Sequence, residues 1–193
     1  MIKKGIILAG GSGTRLSPLT KSVNKQLLPI HDKPMIFYPL SVMMLANIKK
    51  ILMVVNPGQI NNFKSLLGDG SRYGIEIIYK VQDKPRGLPD AFILGKTFID
   101  GDNIALILGD NFFYGQSLTK KLEKSSTHKS GATIFLKEVS SPENYGVAKI
   151  KKKKIEKIVE KPKKFVSNNA ITGLYFFDKN VSDYAKKLNK SKR

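Results

Sequence analysis

The junction between an apolar run and a glycine-rich loop near the start constrains this chain most. Gly5 to Ala9 is apolar throughout and stops at Gly10-Gly11-Ser12-Gly13, with Thr14 and Arg15 directly after. A short apolar run closed by glycine reads as a strand buried on both faces. Glycine bends where other residues cannot, and it lets a ligand come close to the backbone. Successive N–H groups in such a loop form a cradle for an anion. Arg15 adds a planar donor suited to phosphate oxygens. Lys3 and Lys4 precede the run, but it is too short for the apolar core of a signal peptide, which needs roughly 7 to 15 residues.

Two generic phosphate motifs fail against this loop. A P-loop needs Gly, four residues, then Gly-Lys and Ser or Thr, and no such string exists. The dinucleotide fingerprint counted from Gly11 and Gly13 needs a third glycine where Leu16 stands. Asp32, where a ribose-binding acid would sit, reads instead as a turn residue.

Beyond the loop, apolar runs alternate with helix-like segments. Strands are expected at Ile51 to Val55, Ile75 to Tyr79 and Ile104 to Leu108. Helices are expected at Met35 to Ala46, Gln59 to Leu67 and Pro89 to Thr97. This alternation predicts a three-layer α/β/α, Rossmann-like domain on a mostly parallel mixed sheet. The second half reads differently. Strands are expected at Ala132 to Lys137, Val147 to Ile150, Ile155 to Val159 and Ala170 to Phe177, with a closing helix at Val181 to Leu188. The lysines between Lys149 and Lys154 read as a solvated hairpin tip. One domain over 1–193 is expected, with a first part at 1–125 that carries the glycine loop and a second part at 126–193.

Composition narrows the partners. The 193 residues carry 34 basic and 15 acidic side chains, a net charge of +19. Arginine accounts for only four of the 34, Arg15, Arg72, Arg86 and Arg193, and lysine for the other thirty. Nucleic-acid surfaces lean on arginine for bidentate contacts, so this spread of lysine argues against a nucleic-acid partner. It still favours small polyanions such as nucleotides. The chain has no cysteine, so it has no disulfide or thiolate metal site, and a cytoplasmic location fits. His31 and His128 lack ligand spacing. No apolar stretch reaches the ~18 residues a membrane span needs.

The opening Gly11-Ser12-Gly13-Thr14-Arg15-Leu16, followed by Lys25-Gln26-Leu27-Leu28-Pro29, resembles the signature of the bacterial sugar nucleotidylyltransferases of the glucose-1-phosphate thymidylyltransferase type. The resemblance runs on through Asp32 to Leu40, Leu66 to Ser71 and Leu108-Gly109-Asp110-Asn111. It reaches Glu160-Lys161-Pro162 and Thr172-Gly173-Leu174-Tyr175. It implies an enzyme that moves a thymidylyl group from dTTP to glucose 1-phosphate, giving dTDP-glucose and pyrophosphate for deoxysugar and surface-polysaccharide synthesis. A related enzyme using UTP, or a nucleotide-binding chain without turnover, is the alternative.

The resemblance also implies roles for particular residues. Leu8, Gly10, Gly11, Gly13 and Thr14 would hold the nucleotide. Arg15 and Lys25 would neutralise the leaving pyrophosphate. Gln26 and Gln82 would read the base edge, and Pro85 and Gly87 would shape its pocket. Asp110 would hold Mg²⁺, which prefers carboxylate and phosphate oxygens. Tyr145, Gly146, Glu160, Lys161 and Thr172 would surround the sugar phosphate, Lys161 acting on the attacking group. Family members run past this point with an acidic stretch, so a C-terminal truncation is expected, with a homo-oligomer in the longer form. Neither a membrane nor a nucleic acid is expected as partner.

Overall fold

A computed structural model describes residues 1–11, 13–84, 86–127, 129–152 and 154–188. The chain divides into two compact units. Residues 1–133 and 176–193 form the first, and residues 134–175 the second. The division is not linear along the chain, because the closing helix returns to the first unit.

The first unit is built on four parallel strands. β1 (Lys4–Ala9) pairs on one side with β4 (Lys50–Val55) and on the other with β6 (Ile104–Leu108), and β4 pairs with β5 (Glu76–Val81). The register puts Leu8 beside both Val54 and Leu108. Ile6, Ile7, Leu52, Met53, Leu106 and Ile107 are buried, as strands covered on both faces require. A two-strand hairpin, β2 (Pro29–Ile30) and β3 (Lys33–Pro34), turns at His31 and Asp32, the turn expected there.

Helices cover both faces. α1 (Phe37–Leu45) lies so near Gly5 that a Cβ there would sit 3.0 Å from the Met43 sulfur. The next residue, Ile6, points to the other face, as strand alternation dictates. There it meets Gly95, between α3 (Leu88–Leu94) and α4 (Lys96–Ile99). α2 (Ile60–Leu67) packs on β5. The three layers are thus as predicted.

Two helical expectations differ. The single helix read over Pro89 to Thr97 is two pieces, because the chain at Gly95 presses onto the sheet. A Cβ there would lie 2.9 Å from the Ala91 carbonyl and 3.1 Å from Ile6 Cδ1. α5 (Leu118–Ser126) has no counterpart in the sequence reading. Its buried residues are Leu122 and Ser126, and Leu118 and Leu122 are its only apolar side chains in a run of Thr, Lys, Glu and Ser. The closing α6 (Val181–Lys187) packs on α3.

The second unit is antiparallel. β8 (Gly146–Lys151) and β9 (Lys154–Glu160) form a hairpin, and β10 (Asn169–Phe177) pairs with β8 through Ala170 and Val147. β7 (Ala132–Glu138) also pairs with β10. Both β7 and β10 cross the boundary between the units. Near the hairpin turn, Glu156 draws in Lys149 at 3.0 Å and Lys151 at 3.8 Å. No helix among the described residues is long and apolar enough to cross a membrane.

Candidate nucleotide and sugar-phosphate sites

In the first unit, the residues singled out by sequence gather at the C-terminal ends of the parallel strands, where ligands of open α/β sheets collect. The loop after β1 carries Gly10 and Gly11. Gly13 has φ +60°, a left-handed conformation that favours glycine. The space above it is taken as well: a Cβ would lie 2.8 Å from Thr20 Cγ2 and 3.1 Å from Lys25 Cβ. The Thr20 hydroxyl donates to the Gly13 carbonyl at 2.9 Å and ties down the turn. Thr14 and Arg15 follow in a short 3₁₀ turn, both exposed.

The next segment folds back on this loop. Asn24, buried, donates to the Ala9 carbonyl at 3.2 Å and accepts from the Gln26 N–H at 2.9 Å. One side chain thus fixes the end of β1 to the turn carrying Lys25 and Gln26. Lys25 then reaches Asp110, just past β6, with Nζ 2.7 Å from Oδ2. This is the contact that joins two segments 85 residues apart. Asp110 comes this close because Gly109 slides under the loop, its N–H donating to the Leu8 carbonyl at 2.8 Å. Gln26 is 2% exposed, and among the described residues its Oε1 is buried without a hydrogen-bond partner. A cavity of about 230 Å³ opens beside these groups, bordered by Gly11, Thr20, Asn24, Lys25 and Asn56.

Gln82 follows β5 and is buried. Its Nε2 donates to Asp90 Oδ2 at 2.7 Å, and its Oε1 would lie 3.4 Å from a Cβ on Gly10. Asn56, past the end of β4, brings its Oδ1 to 3.1 Å from the same point. Gly87 has φ +86° and starts α3. Pro85 and Ser12 lie outside the described residues.

The second unit holds the other set. Gly146 pairs with Glu160 across the hairpin, and a Cβ on Gly146 would lie 2.7 Å from Glu160 Oε2. The bare glycine leaves room for that carboxylate. The Lys161 N–H donates to the Tyr145 carbonyl at 2.9 Å. Lys161 itself has φ +43°, a strained value for a lysine and doubly so before Pro162. Burial pushes the Tyr175 phenol above its usual range, and the Glu160 charge adds to the shift. The Thr172 hydroxyl, on β10, donates to the Phe135 carbonyl at 2.8 Å.

Sequence reasoning gave no role to Thr20, Asn24 or Asn56. Asn24 alone left a signal, as a capping residue directly before Lys25-Gln26.

The nucleotidyl transferase family model matches residues 4–193. The glucose-1-phosphate thymidylyltransferase of Neisseria meningitidis serogroup A is 53% identical over 191 residues, 98% of this chain and 66% of that protein. The enzyme of the same name from Xanthomonas campestris is 53% identical over 192 residues, 99% of this chain and 65% of that protein. The chain therefore spans just under two thirds of the length of these curated relatives. A Bacillus anthracis crystal structure solved with a sucrose, provisionally named a glucose-1-phosphate thymidylyltransferase, superposes with a TM-score of 0.89. It is 40% identical and covers 96% of this chain and 75% of that one. UDP-glucose pyrophosphorylase complexed with UDP-glucose superposes at 0.85 with 25% identity, covering 100% and 82%. On its sequence and its fold alike, this chain belongs to the nucleotidyl transferase family.

Proposed function

We propose that the protein transfers a thymidylyl group from dTTP to glucose 1-phosphate in the cytoplasm, giving dTDP-glucose for deoxysugar and surface-polysaccharide synthesis. The observation that carries this reading is the Lys25–Asp110 pair beside the glycine loop at the strand ends. The relatives that share about half of its residues bear this enzyme's name.

In the reaction, a phosphate oxygen of glucose 1-phosphate forms a bond to the α-phosphorus of dTTP. The bond from that phosphorus to the bridging oxygen breaks, and its electron pair leaves with pyrophosphate. The attacking oxygen is already anionic, so no general base is needed. Catalysis rests on positioning and charge neutralisation. Gly10, Gly11, Gly13 and Thr14 turn the loop's N–H groups to the triphosphate. Arg15 and Lys25 offset charge on the leaving pyrophosphate. Gln26 and Gln82 face the base. Tyr145, Gly146, Glu160, Lys161 and Thr172 receive the sugar phosphate, with the Lys161 ammonium on its phosphate.

Among the described residues no three His, Asp or Glu side chains form a protein-only cage. That suits a cation that keeps waters and takes the rest of its ligands from substrate phosphates. Asp110 would hold Mg²⁺, which would supply further charge neutralisation at the triphosphate.

Pyrophosphate release from dTTP and glucose 1-phosphate with Mg²⁺ tests the proposal. Asp110→Asn and Lys25→Ala are each expected to lower kcat by at least about 100-fold, in the range of lost transition-state donors. Rates unchanged in both variants would overturn the site. The likeness to UDP-glucose pyrophosphorylase favours UTP as a second donor. A ratio of kcat/KM above one for UTP over dTTP would select that reading.

A further inference from the structure

We propose that Asp90 is a positioning residue that fixes which end of the Gln82 amide faces the nucleotide base, and so makes the site reject cytosine. The inference rests on the reading of Gln82 as a base contact given above.

A glutamine amide is nearly symmetrical in shape but not in chemistry. Its oxygen only accepts and its nitrogen only donates. A free amide can present either end, so a lone glutamine discriminates poorly. Gln82 is not free. Its side chain is buried at the end of β5, and Asp90 Oδ2 sits 2.7 Å from the amide nitrogen. A carboxylate can only accept, so the nitrogen must be the end that points to it. Asp90 is itself 8% exposed, and Arg86 stands 3.9 Å from its other oxygen, a cation beside the anion. The consequence is at the far end of the amide. Oε1 is turned to the Gly10 side, 3.4 Å from where a Cβ would stand. The site thus presents a fixed acceptor.

Thymine and uracil carry an N3–H donor on their pairing edge, whereas cytosine carries a bare N3 acceptor. A fixed acceptor pairs with the first two and opposes the third. Specificity built this way depends on the mismatched pair being costly. The pair does not sense the C5 methyl, so it leaves the choice between dTTP and UTP open. Asp90 also lies in the first turn of α3, where an acid is favoured by the helix N-terminus. That role alone would affect stability, not base choice.

The test measures kcat/KM for dTTP and dCTP by pyrophosphate release, with folding checked by thermal melting. In Asp90→Asn the neighbour can donate or accept, so Gln82 can flip and offer its nitrogen to cytosine N3. The expected result is about a tenfold rise in kcat/KM for dCTP, the worth of one hydrogen bond, with dTTP changed by about twofold at most. A merely structural residue would not produce a gain with the wrong base. The double variant Gln82→Glu with Asp90→Asn restores a fixed acceptor, and dCTP is expected to be rejected again. Discrimination unchanged in Asp90→Asn, or still lost in the double variant, would overturn the proposal. If the parent protein releases no pyrophosphate from either nucleotide, the transferase reading fails. The proposal is then decided by equilibrium binding of dTTP and dCTP to the same three proteins. A dTTP preference that weakens in Asp90→Asn supports it. A preference that persists there, or that the parent lacks, overturns it.

Discussion

Gly109 and Gly146 show how two glycines can serve different ends. At Gly109 an added Cβ would lie 2.7 Å from the Leu8 carbonyl oxygen and 3.3 Å from Ala9 Cα. Both are backbone atoms of a central strand, which cannot yield without moving the sheet. Gly109→Ala is expected to lower unfolding free energy by about 1–3 kcal/mol, read from the urea midpoint. At Gly146 the obstacle is Glu160 Oε2 at 2.7 Å, the far end of a flexible side chain. The carboxylate can swing aside, so Gly146→Ala should stay within about 0.5 kcal/mol of the parent. The displaced Glu160 should instead raise the KM for glucose 1-phosphate severalfold. A Gly109→Ala protein as stable as the parent would show that the loop tolerates a wider spacing from β6. An unchanged KM in Gly146→Ala would remove Glu160 from the sugar-phosphate site.

At the scale of elements, β5 and α2 are linked through Tyr79, whose hydroxyl donates to the Gly68 carbonyl at 2.6 Å just past the end of α2. Burial pushes the phenol up to about 12 from 10.0, with the Asp69 charge adding to it. The folded state therefore keeps this proton after the unfolded chain has lost it. The stability it contributes is fully present below about pH 10 and is lost as pH rises through about 12. In urea titrations between these values, Tyr79→Phe should flatten the decline seen in the parent. An identical slope in both proteins would detach the phenol from the alkaline transition. β1, β4 and β6 were legible because each is a compact apolar run closed by glycine or polar residues, and strand burial on two faces leaves just that pattern. α5, which packs on α1, was not legible because Leu118 and Leu122 are its only apolar side chains among Thr, Lys, Glu and Ser. The break at Gly95 depends on how close α3 and α4 come to β1, a tertiary distance with no local signature. The same holds within the site. Lys25 and Asp110 could be named from their neighbours, but the Gln82–Asp90 bond could not. It depends on α3 turning its first helical turn toward the end of β5.

For the whole molecule, a net charge of +19 means that folding concentrates like charges. Such self-repulsion weakens the compact state at low ionic strength. The screening length falls from about 30 Å at 0.01 M salt to about 8 Å at 0.15 M. Scanning calorimetry over that range is expected to show Tm rising with salt; a Tm that falls would mean that attractive pairs such as Lys4–Asp102, at 2.7 Å, outweigh the repulsion. On the proposed function, the same positive field would draw the triphosphate toward the loop.

Where the chain leaves the first unit and where it comes back, Gly131 and Asp178 are bonded to each other. The Asp178 N–H donates to the Gly131 carbonyl at 3.0 Å, and the Asp178 carboxylate accepts from the Gly131 N–H. A little further out, within the second unit, the Thr172 hydroxyl bonds to the Phe135 carbonyl. Residues 134–175 thus enter and exit through a closed stem whose two sides are already neighbours. For a lineage under selection, that stem is a socket. The excursion can be lengthened, shortened or exchanged while the closure points stay as they are; on the proposed function, such an exchange would change the acceptor and leave the glycine loop untouched.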